Sequence, residues 1–408
     1  MTMEIMAMIM AGGQGERLMP LTADRAKPAV PFAGRYRIID FVLSNFLNSK
    51  IHRIKILTQF KSDSLNRHLA RGWQLAPRFG LYIDAVPAQM RTGKNWYLGT
   101  ADAIYQNVNL IQDEHPDFVC VFGGDHIYRM DVRQMVEYHK SKKAELTIAA
   151  IPQPFSLASS FGVIQVDENW KVIGFEEKPV NPKPIPGRPD MALVSMGNYV
   201  FSREALVNWV CADAKKTSIH DFGKNIITDN YLKNPVYAYD FSTNHIAGME
   251  EKEKGYWRDV GTLDEYFSAS MDLVEVAPTF NLYNTKWPVW TFNPSRPPAK
   301  FVFADADTQR IGVATDSLVS EGCVISGGRI HRCILSPSVR INSFCNIEES
   351  IFMEGCNVGR RSRIRRAIVD KYVDIPPDTE IGYDHARDRE RFHVTDSGIV
   401  VISKKAIL

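Results

Sequence analysis

The chain has 408 residues, a length that suggests two or three domains. Hydrophobic residues make up 45% and charged residues 24%, as is usual for a globular protein, and 49 basic against 47 acidic residues leave a net charge of +2. This balance gives no reason to expect nucleic acid or a membrane surface as a partner. The apolar residues 1–10 are interrupted by Glu4, are too short to span a bilayer and lack the basic segment of a signal peptide. We therefore expect a cytoplasmic protein.

The first part of the chain alternates strand and helix patterns. Apolar spacing predicts an amphipathic helix over 37–49, and a longer one that starts at Thr100 or Asp102 and runs through Ile111. A third helix is expected after a cap at Ser62 or Asp63, and a fourth around 135–139. Buried strands are predicted for the apolar runs 4–10, 53–58, 117–125 and 145–151. This alternation is typical of a doubly wound, mostly parallel α/β sheet, and shorter strands from about residue 161 predict a partly antiparallel extension.

The last hundred residues follow a different period. After a proline-rich segment, 284–300, branched apolar residues recur 17 positions apart in three columns, namely Val324, Ile341, Val358 and Ile375; Ile330, Ile347, Ile364 and Ile381; and Ile334, Ile351 and Ile368. Three columns at one offset predict a parallel β-helix of hexapeptide type, with each column pointing inward and with an end that another surface must cover. We thus predict a catalytic domain over 1–283, a linker over 284–310 and a β-helix domain, for regulation or oligomerisation, over 311–408.

The six cysteines form no CxxC pair and no Cys/His cluster with zinc spacing, which favours a structural role as small buried residues. They are Cys120, Cys211, Cys323, Cys333, Cys345 and Cys356.

A glycine-rich turn follows the first predicted strand, in the stretch "AGGQGERLMPLTADRAKP" at 11–28. Leu18 breaks the dinucleotide-binding fingerprint, and no Gly-Lys-Ser/Thr of a P-loop follows. The turn is either a plain tight turn or a phosphate site. Its place after a strand of an α/β sheet favours the phosphate site, because backbone N–H groups of such a turn can meet an anion. Arg17 and Lys27 supply two cations for phosphate oxygens.

Two other motifs carry acidic residues near predicted strand ends. Asp125, in "GGDHIY", and Asp259, in "YWRDVGT", offer oxygen ligands that suit Mg²⁺, although a helix cap or turn is the plain alternative. Glu177 and Lys178, in "FEEKPVNP", could serve sugar hydroxyls and a phosphate, and a surface salt bridge is the alternative there.

Taken together, these motifs resemble the sugar-nucleotide pyrophosphorylases, and within them the ADP-glucose pyrophosphorylases of bacterial glycogen synthesis. The resemblance extends nearly end to end, through "LTQFKSDSLNRHL", "NWYLGTADAIYQN", "GGDHIYRMD", "SFGVIQVD", "EEKPVNP", "SMGNYVF", "HDFGK", "YWRDVGTLDEYF" and "INSFCNI". It implies a Rossmann-like mostly parallel sheet followed by a C-terminal left-handed parallel β-helix. It also implies the reaction of ATP with α-D-glucose 1-phosphate to give ADP-glucose and diphosphate, with Mg²⁺ as cofactor.

The resemblance also implies residue roles. Gly12, Gly13 and Gly15 would hold the nucleotide phosphates, with Gln59 and Gln89 near the adenine. Arg17 and Lys27 would stabilise the leaving diphosphate, and Asp125 and Asp259 would bind the metal. The glucose 1-phosphate site would consist of Tyr97, Gly162, Glu177, Lys178 and Ser195. A homotetramer and small-molecule allosteric effectors are further expectations from the family.

Two features bear on regulation. Asp24 is acidic where many members of the family carry a basic residue for a sugar-phosphate activator, which puts that mode of activation in doubt. The run "RRSRIRR", 360–366, offers either an effector site or a solvated or oligomer-facing surface.

Three other functions compete with this assignment. They are a pyrophosphorylase for another base or sugar, an acyltransferase lobe formed by the β-helix, and a non-catalytic regulatory subunit. The acyltransferase is disfavoured because His331 is the single histidine between 324 and 381. The regulatory subunit is disfavoured because Arg17, Lys27, Asp125 and Lys178 are all present.

Overall fold

The N-terminal domain is built on one twisted sheet. The computed structural model describes residues 4–305, 307–404, 406 and 408, and within them this sheet has nine strands in the order β7-β6-β8-β4-β1-β2-β3, with β5 pairing β8 and β9. The strands are β1 (Ile5–Ala11), β2 (Arg53–Thr58), β3 (Tyr82–Pro87), β4 (Phe118–Gly123), β5 (Leu146–Pro154), β6 (Gly162–Val166), β7 (Val172–Glu177), β8 (Met191–Ser202) and β9 (Val236–Asp240).

The parallel half of the sheet places the glycine turn. Strand β1 lies between β2 and β4 and is parallel to both, and β3 continues the parallel half beyond β2. Residues 6–9 are wholly buried, as the continuous apolar run predicts for a strand covered on both faces. Because β1, β2 and β4 end at one edge, the segments that follow them meet there. The predicted antiparallel extension is confirmed by β8, which runs antiparallel to β4, β5 and β6.

The described residues form ten α-helices, nine in the N-terminal domain and the last in the C-terminal part. They are α1 (Ile38–Asn48), α2 (Asp63–Gly72), α3 (Thr100–Tyr105), α4 (Val108–Glu114), α5 (Val132–Ser141), α6 (Phe155–Ala158), α7 (Arg203–Asp213), α8 (Thr228–Asn230), α9 (Leu263–Asp272) and α10 (His385–Arg389). Helices α1, α2 and α5 lie where the sequence predicts helices. The single helix predicted over 100–111 is wrong, because α3 and α4 are separate. The Asn107 side chain donates to the Ala103 carbonyl, 2.8 Å, and to the Tyr97 hydroxyl, 2.9 Å. Such side-chain bonds compete with helical hydrogen bonding at the break.

The C-terminal part is a parallel β-helix with three faces. The first face stacks Lys300–Val302, Val324–Ser326, Arg340–Ile341, Asn357–Val358 and Asp374–Ile375. The second stacks Val313–Thr315, Arg329–His331, Asn346–Glu348, Arg363–Arg365 and Glu380–Ile381. The third stacks Leu318–Val319, Ile334–Leu335, Ile351–Phe352, Ala367–Val369 and Val400–Ile402, and His393–Val394 closes it as an antiparallel strand. The predicted repeat is thus confirmed.

Two details of the predicted columns are wrong. Ile325, not Val324, pairs with Ile341 and is fully buried, because the step from this coil to the next is 16 residues here instead of 17. The third column also points outward. Its neighbours Leu335 and Phe352 fill the β-helix interior, whereas Ile351 belongs to an apolar cluster shared with the N-terminal domain.

This outward column is the docking face between the two domains. Ile334, Ile351, Ile368 and Val401 share one buried cluster with Phe267 of α9 and with other apolar residues of the N-terminal domain. Each fully buried branched side chain contributes about 1.5–3 kcal/mol relative to an exposed one. The same 17-residue repeat therefore serves both the coil interior and the domain interface.

The domain limits 1–283, 284–310 and 311–408 remain a prediction. The strand Lys300–Val302, inside the predicted linker, pairs with Val324–Ser326 of the coil. Across the described residues, 4–305 and 307–404 among them, no helix combines the length and the hydropathy needed to cross a membrane.

Candidate active site

A cleft of about 810 Å³ opens at the carboxyl edge of the sheet. The turns after β1, β2 and β4 line it on one side. The opposite side comes from β7, from Gly197 and Tyr199 of β8, and from the stretch 221–223. Ten of the residues predicted for the site line this cleft, namely Gly12, Gly13, Gly15, Arg17, Lys27, Gln59, Tyr97, Asp125, Glu177 and Asp259.

The glycine turn combines one strained position and one open position. Gly15 has φ of 66°, and a Cβ there would approach the Lys27 Cβ and the Thr22 Cγ2 to 3.1 Å. An L-residue is strained at this φ in any surroundings. At Gly13 no atom lies within 4 Å of where a Cβ would stand, so the position is open. Glycine is needed at Gly15 for the fold, whereas at Gly13 it leaves room for a ligand.

A buried lysine joins the two predicted metal-binding carboxylates. The Lys27 ammonium lies 2.9 Å from Asp125 Oδ2 and 3.1 Å from Asp259 Oδ1, and it also donates to the Asp259 carbonyl at 2.9 Å. Burial opposes the charge of Lys27, but the two carboxylates outweigh it and raise its pKa. Burial likewise opposes both carboxylates, but Lys27 and His126 lower the pKa of Asp125 and of Asp259. All three groups are therefore charged at neutral pH.

His126 completes this cluster and was missed by the sequence analysis. Its Nε2 lies 3.5 Å from Asp125 Oδ1 and 3.4 Å from Asp259 Oδ1, and its ring packs edge-on against Trp257. Asp125, His126 and Asp259 offer ligand atoms that all lie within 4.8 Å of one another. In the sequence, the position of His126 directly after Asp125 in "GGDHIY" was the signal that could have identified it. Arg17 lies at the entrance, 64% exposed and 3.7 Å from Asp259.

Gln59 holds a neighbouring loop. Its Oε1 accepts from the Tyr97 N–H at 2.7 Å, and its Nε2 is 3.5 Å from the Tyr97 carbonyl. The side chain thus fixes the segment before α3. Gly12 lies against it, because a Cβ there would approach the Gln59 Cβ to 3.2 Å.

The far end of the cleft carries a carboxylate pair. Glu177, at the end of β7, and Asp221 both line the cleft, as does Tyr199 of β8. Burial and the charge of Asp221 raise the pKa of Glu177, with Lys178 opposing. Gly162 lies beside Glu177, since a Cβ there would come within 2.8 Å of Glu177 Oε2. Asp221 and Tyr199 were not among the predicted site residues, although Asp221 stands in the quoted "HDFGK".

Four predicted site residues do not line the cleft, namely Gly162, which lies beside Glu177, and Lys178, Ser195 and Gln89. The Lys178 side chain is 62% exposed and 3.9 Å from Glu177 Oε1. Ser195 is buried in β8, and its Oγ accepts from the Gly197 N–H at 3.2 Å. Gln89 is exposed beyond the end of β3. Their roles remain predictions.

Comparison with known proteins assigns the chain to a family. Residues 6–276 match the nucleotidyl transferase family model, and residues 297–402 match the model of the GlmU-like C-terminal hexapeptide. A glucose-1-phosphate adenylyltransferase of Anaeromyxobacter sp. (strain Fw109-5) is 58% identical over 403 residues, which is 98% of both chains. Proteins of that name from Anaeromyxobacter dehalogenans (strain 2CP-C) and Aliivibrio fischeri (strain ATCC 700601 / ES114) are 57% and 54% identical, again over 98% of both chains.

The chain belongs to the glucose-1-phosphate adenylyltransferase family. The resemblance inferred from the motifs is thereby confirmed, and so is the fold class of a Rossmann-like sheet followed by a left-handed β-helix. In this family assignment the cleft falls within the nucleotidyl transferase match, and the coil falls within the hexapeptide match.

Proposed function

We propose that this chain transfers the adenylyl group of ATP to α-D-glucose 1-phosphate and releases diphosphate. The ADP-glucose formed would supply glucosyl units for glycogen or another α-glucan. The observation that carries the proposal is the meeting of the glycine turn, Lys27, Asp125 and Asp259 in one cleft of a chain that is 58% identical to a protein of this name.

The reaction needs charge neutralisation more than proton transfer. The second pKa of a phosphate monoester is about 6, so the attacking phosphate oxygen is already ionised at neutral pH. The obstacle is the repulsion between this dianion and the polyphosphate of ATP. Lys27 is charged and buried, and Arg17 stands at the entrance, so both cations act where charge accumulates on the leaving diphosphate. The glycine turn would hold the phosphates so that attack on the α-phosphorus is in line.

The carboxylate cluster fits Mg²⁺. Asp125 and Asp259 supply the oxygen ligands that this ion prefers, and their lowered pKa values keep them anionic. When bound, the ion would neutralise phosphate charge beside the reacting phosphorus. When no metal ion is bound, Lys27 limits the net negative charge of Asp125 and Asp259. His126 keeps the Asp259 carboxylate in place.

The glucose 1-phosphate would lie at the far end of the cleft. Glu177 is held there beside Gly162 and would accept hydrogen bonds from sugar hydroxyls, with Tyr97 on the neighbouring wall. Lys178 would turn from its exposed position to meet the sugar phosphate. Ser195, which is buried in β8, would contribute to the glucose 1-phosphate site from within the sheet.

We further propose that an anionic effector binds between the domains. Asp24 lines an interdomain cleft of about 430 Å³ whose basic residues are Arg25, Arg35, Arg37, Arg67, Arg71, Arg296, Lys371 and Lys404. Burial, together with Arg37 and Arg25, lowers the pKa of Lys371 although Glu354 opposes this, and burial lowers that of Arg37 to about 10. The acidic lining residues Asp24, Asp63, Glu321 and Glu354, with Asp370 beside Arg25, are fewer than the eight basic ones, and the surplus of positive charge would favour a phosphorylated ligand. By contrast, Arg361 pairs with Asp378 and Arg363 with Glu380 on the outside of the coil.

A pair of variants separates the two effector sites. Arg71→Gln should weaken activation by a phosphorylated sugar, whereas the double variant Arg361→Glu/Arg363→Glu should leave the activation profile unchanged. The reverse result would place the effector on the coil.

A homotetramer is proposed from the family and from the open end of the coil. The strands Lys300–Val302, Val313–Thr315 and Leu318–Val319 each pair on one side with the next coil. At the opposite end, α10 and His393–Val394 cover the last coil. The first coil is therefore the surface on which a second copy would stack, because an open strand edge favours association.

The decisive assay follows diphosphate release from glucose 1-phosphate with ATP, UTP, GTP, CTP and dTTP in turn, with and without Mg²⁺. We expect turnover with ATP, dependent on the metal. A preference for another nucleotide would overturn the substrate assignment.

A further inference from the structure

The segment from Gly12 to Lys27 is tied to the N-terminal domain at its middle. The Thr22 hydroxyl donates to the Gly15 carbonyl at 2.9 Å, and the Ala26 N–H donates to the Lys61 carbonyl at 3.3 Å. The Lys61 ammonium reaches back to the Thr22 carbonyl at 3.3 Å. These bonds fix the course of the backbone, but they leave the side chain of Arg25 directed out of the domain.

Arg25 ties the same segment to the β-helix. Its Nη2 lies 2.9 Å from Asp370 Oδ1 and 3.0 Å from Asp370 Oδ2, and the two side chains are only 4% and 3% exposed. The Arg25 Nη1 also approaches the Met353 sulfur at 3.9 Å. One guanidinium nitrogen thus meets both carboxylate oxygens in a buried, charge-assisted contact, which is stronger than a neutral hydrogen bond.

Asp370 is itself held rigidly by the coil. Its N–H donates to the Ile402 carbonyl at 2.9 Å, and its own carbonyl accepts from the Cys356 thiol at 3.0 Å. Its Oδ1 also accepts from the Lys371 N–H at 2.7 Å. The carboxylate is therefore a fixed point of the β-helix, presented to the N-terminal domain.

The consequence for catalysis follows from the short distance along the chain. Arg25 precedes Lys27 by two residues, and the intervening Ala26 is fully buried. Lys27 must place its ammonium about 3 Å from both Asp125 and Asp259. Loss of the Asp370 charge would leave the buried Arg25 without its partner, and a buried cation without a partner moves or takes up water. The backbone that carries Lys27 would move with it.

We propose that Asp370 is a positioning residue for adenylyl transfer, which acts through Arg25 to hold Lys27 between the two metal-binding carboxylates. The inference rests on the function proposed above. It gives the β-helix a direct part in catalysis, because one of its side chains sets the geometry of a cation in the other domain.

The test is a double-mutant cycle between Asp370→Asn and Lys27→Gln, with kcat and KM measured for ATP and glucose 1-phosphate. We expect Asp370→Asn to lower kcat about 10- to 100-fold, as misplacement of a catalytic group by about 1 Å does, with KM changed less than about threefold. In the Lys27→Gln background the same substitution should lower kcat no further. Assays are run well below the unfolding temperature of each variant.

Control variants separate this role from a structural one. Glu275→Gln breaks another charge pair between the domains, Glu275 with Arg332, 2.8 Å apart and remote from the glycine turn, and should leave kcat unchanged. If Asp370→Asn does not fold, Arg25→Lys keeps the charge but loses the two-oxygen contact, and the same cycle applies. An unchanged kcat in Asp370→Asn, or an equal loss with and without Lys27, would overturn the inference. The wild-type nucleotide preference is measured first, and the cycle uses the preferred nucleotide, so failure of the proposed function is recognised separately.

Discussion

The carboxyl edge of the N-terminal sheet and the interior of the β-helix bury polar groups in opposite ways. Inside the coil the thiols of Cys323, Cys345 and Cys356 each donate to a backbone carbonyl, at 3.0–3.1 Å, that lies 13 or 14 residues further along the chain. Burial raises the pKa of the Cys323 thiol to about 11 and that of Cys356 to about 12, so both stay neutral. At the sheet edge the buried groups are charged, and they compensate one another.

This difference shows where ligands can act. The backbone of the coil itself accepts the hydrogen bonds of these three thiols, which suits a scaffold. Lys27 compensates Asp125 and Asp259 only in part, because two carboxylates share its one buried ammonium. The Arg17 guanidinium lies 3.7 Å from Asp259 but is 64% exposed at the entrance. In the proposed function, a Mg²⁺ ion and the substrate phosphates would complete the charge balance. The expectation that the cysteines are small buried residues holds for five of them, and Cys211 is partly buried.

Neutralising a charge at the sheet edge should have the largest effect. Asp125→Asn should lower kcat about 100- to 1000-fold, because one preorganised charged group is lost beside the reacting phosphate. The diphosphate assay measures it. Asp131→Asn is the matched control, since Asp131 caps α5 through the Arg133 N–H and should affect the unfolding midpoint more than kcat. Equal losses of kcat in the two variants would contradict the assigned role of Asp125.

Truncating an apolar side chain inside the coil should affect stability alone. Ile325→Ala should lower the free energy of unfolding by about 2–5 kcal/mol, because Ile325 is fully buried and its loss leaves a cavity. Val324→Ala, one residue earlier and partly buried, should cost about 1 kcal/mol. Denaturant titration checks both values. A larger effect at Val324 would restore the column predicted from the sequence.

The glycine turn allows stability and binding to be separated within one loop. Gly13→Ala should raise KM for ATP roughly tenfold with no loss of stability, because the added methyl meets no protein atom but occupies space open to a phosphate. Gly15→Ala should lower the unfolding midpoint, because its φ of 66° is strained for alanine. Thermal unfolding and initial rates are measured on both. If Gly13→Ala binds ATP normally, the phosphates lie elsewhere.

His139, a buried histidine of the N-terminal domain, should stay neutral in the folded protein, as the buried thiols of the coil do. Burial lowers the pKa of His139 to about 4, and its Nδ1 lies 2.9 Å from the Thr147 hydroxyl. Since the unfolded chain takes up this proton near pH 6.5 and the folded one only near pH 4, stability is present above pH 6.5 and falls as the pH decreases between these values. The loss should be about 1 kcal/mol at about pH 5.5.

His139→Asn keeps a hydrogen-bonding group near Thr147 but removes the titration. The difference in unfolding free energy between the two proteins should therefore shrink between about pH 7 and about pH 5. A constant difference would mean that the pKa of His139 is the same in the folded and the unfolded protein.

Sequence by itself determined the order of strands and helices, the glycine turn after β1 and the period of the coil. It also placed Asp125 at the end of β4, since apolar runs and their ends depend on neighbouring residues only. Ten of the residues predicted for the site do line one cleft for the same reason, because the carboxyl ends of parallel strands share an edge.

Tertiary structure alone decided which surface buries each side chain. The 17-residue spacing of Ile334 and Ile351 records burial, but a spacing cannot distinguish the coil interior from the domain interface. It also decided the partners of charged groups, such as Lys27 between Asp125 and Asp259, and Arg25 against Asp370. These pairs join residues from about 100 to 345 positions apart in the sequence, and their energies depend on distance and burial, which no local pattern records.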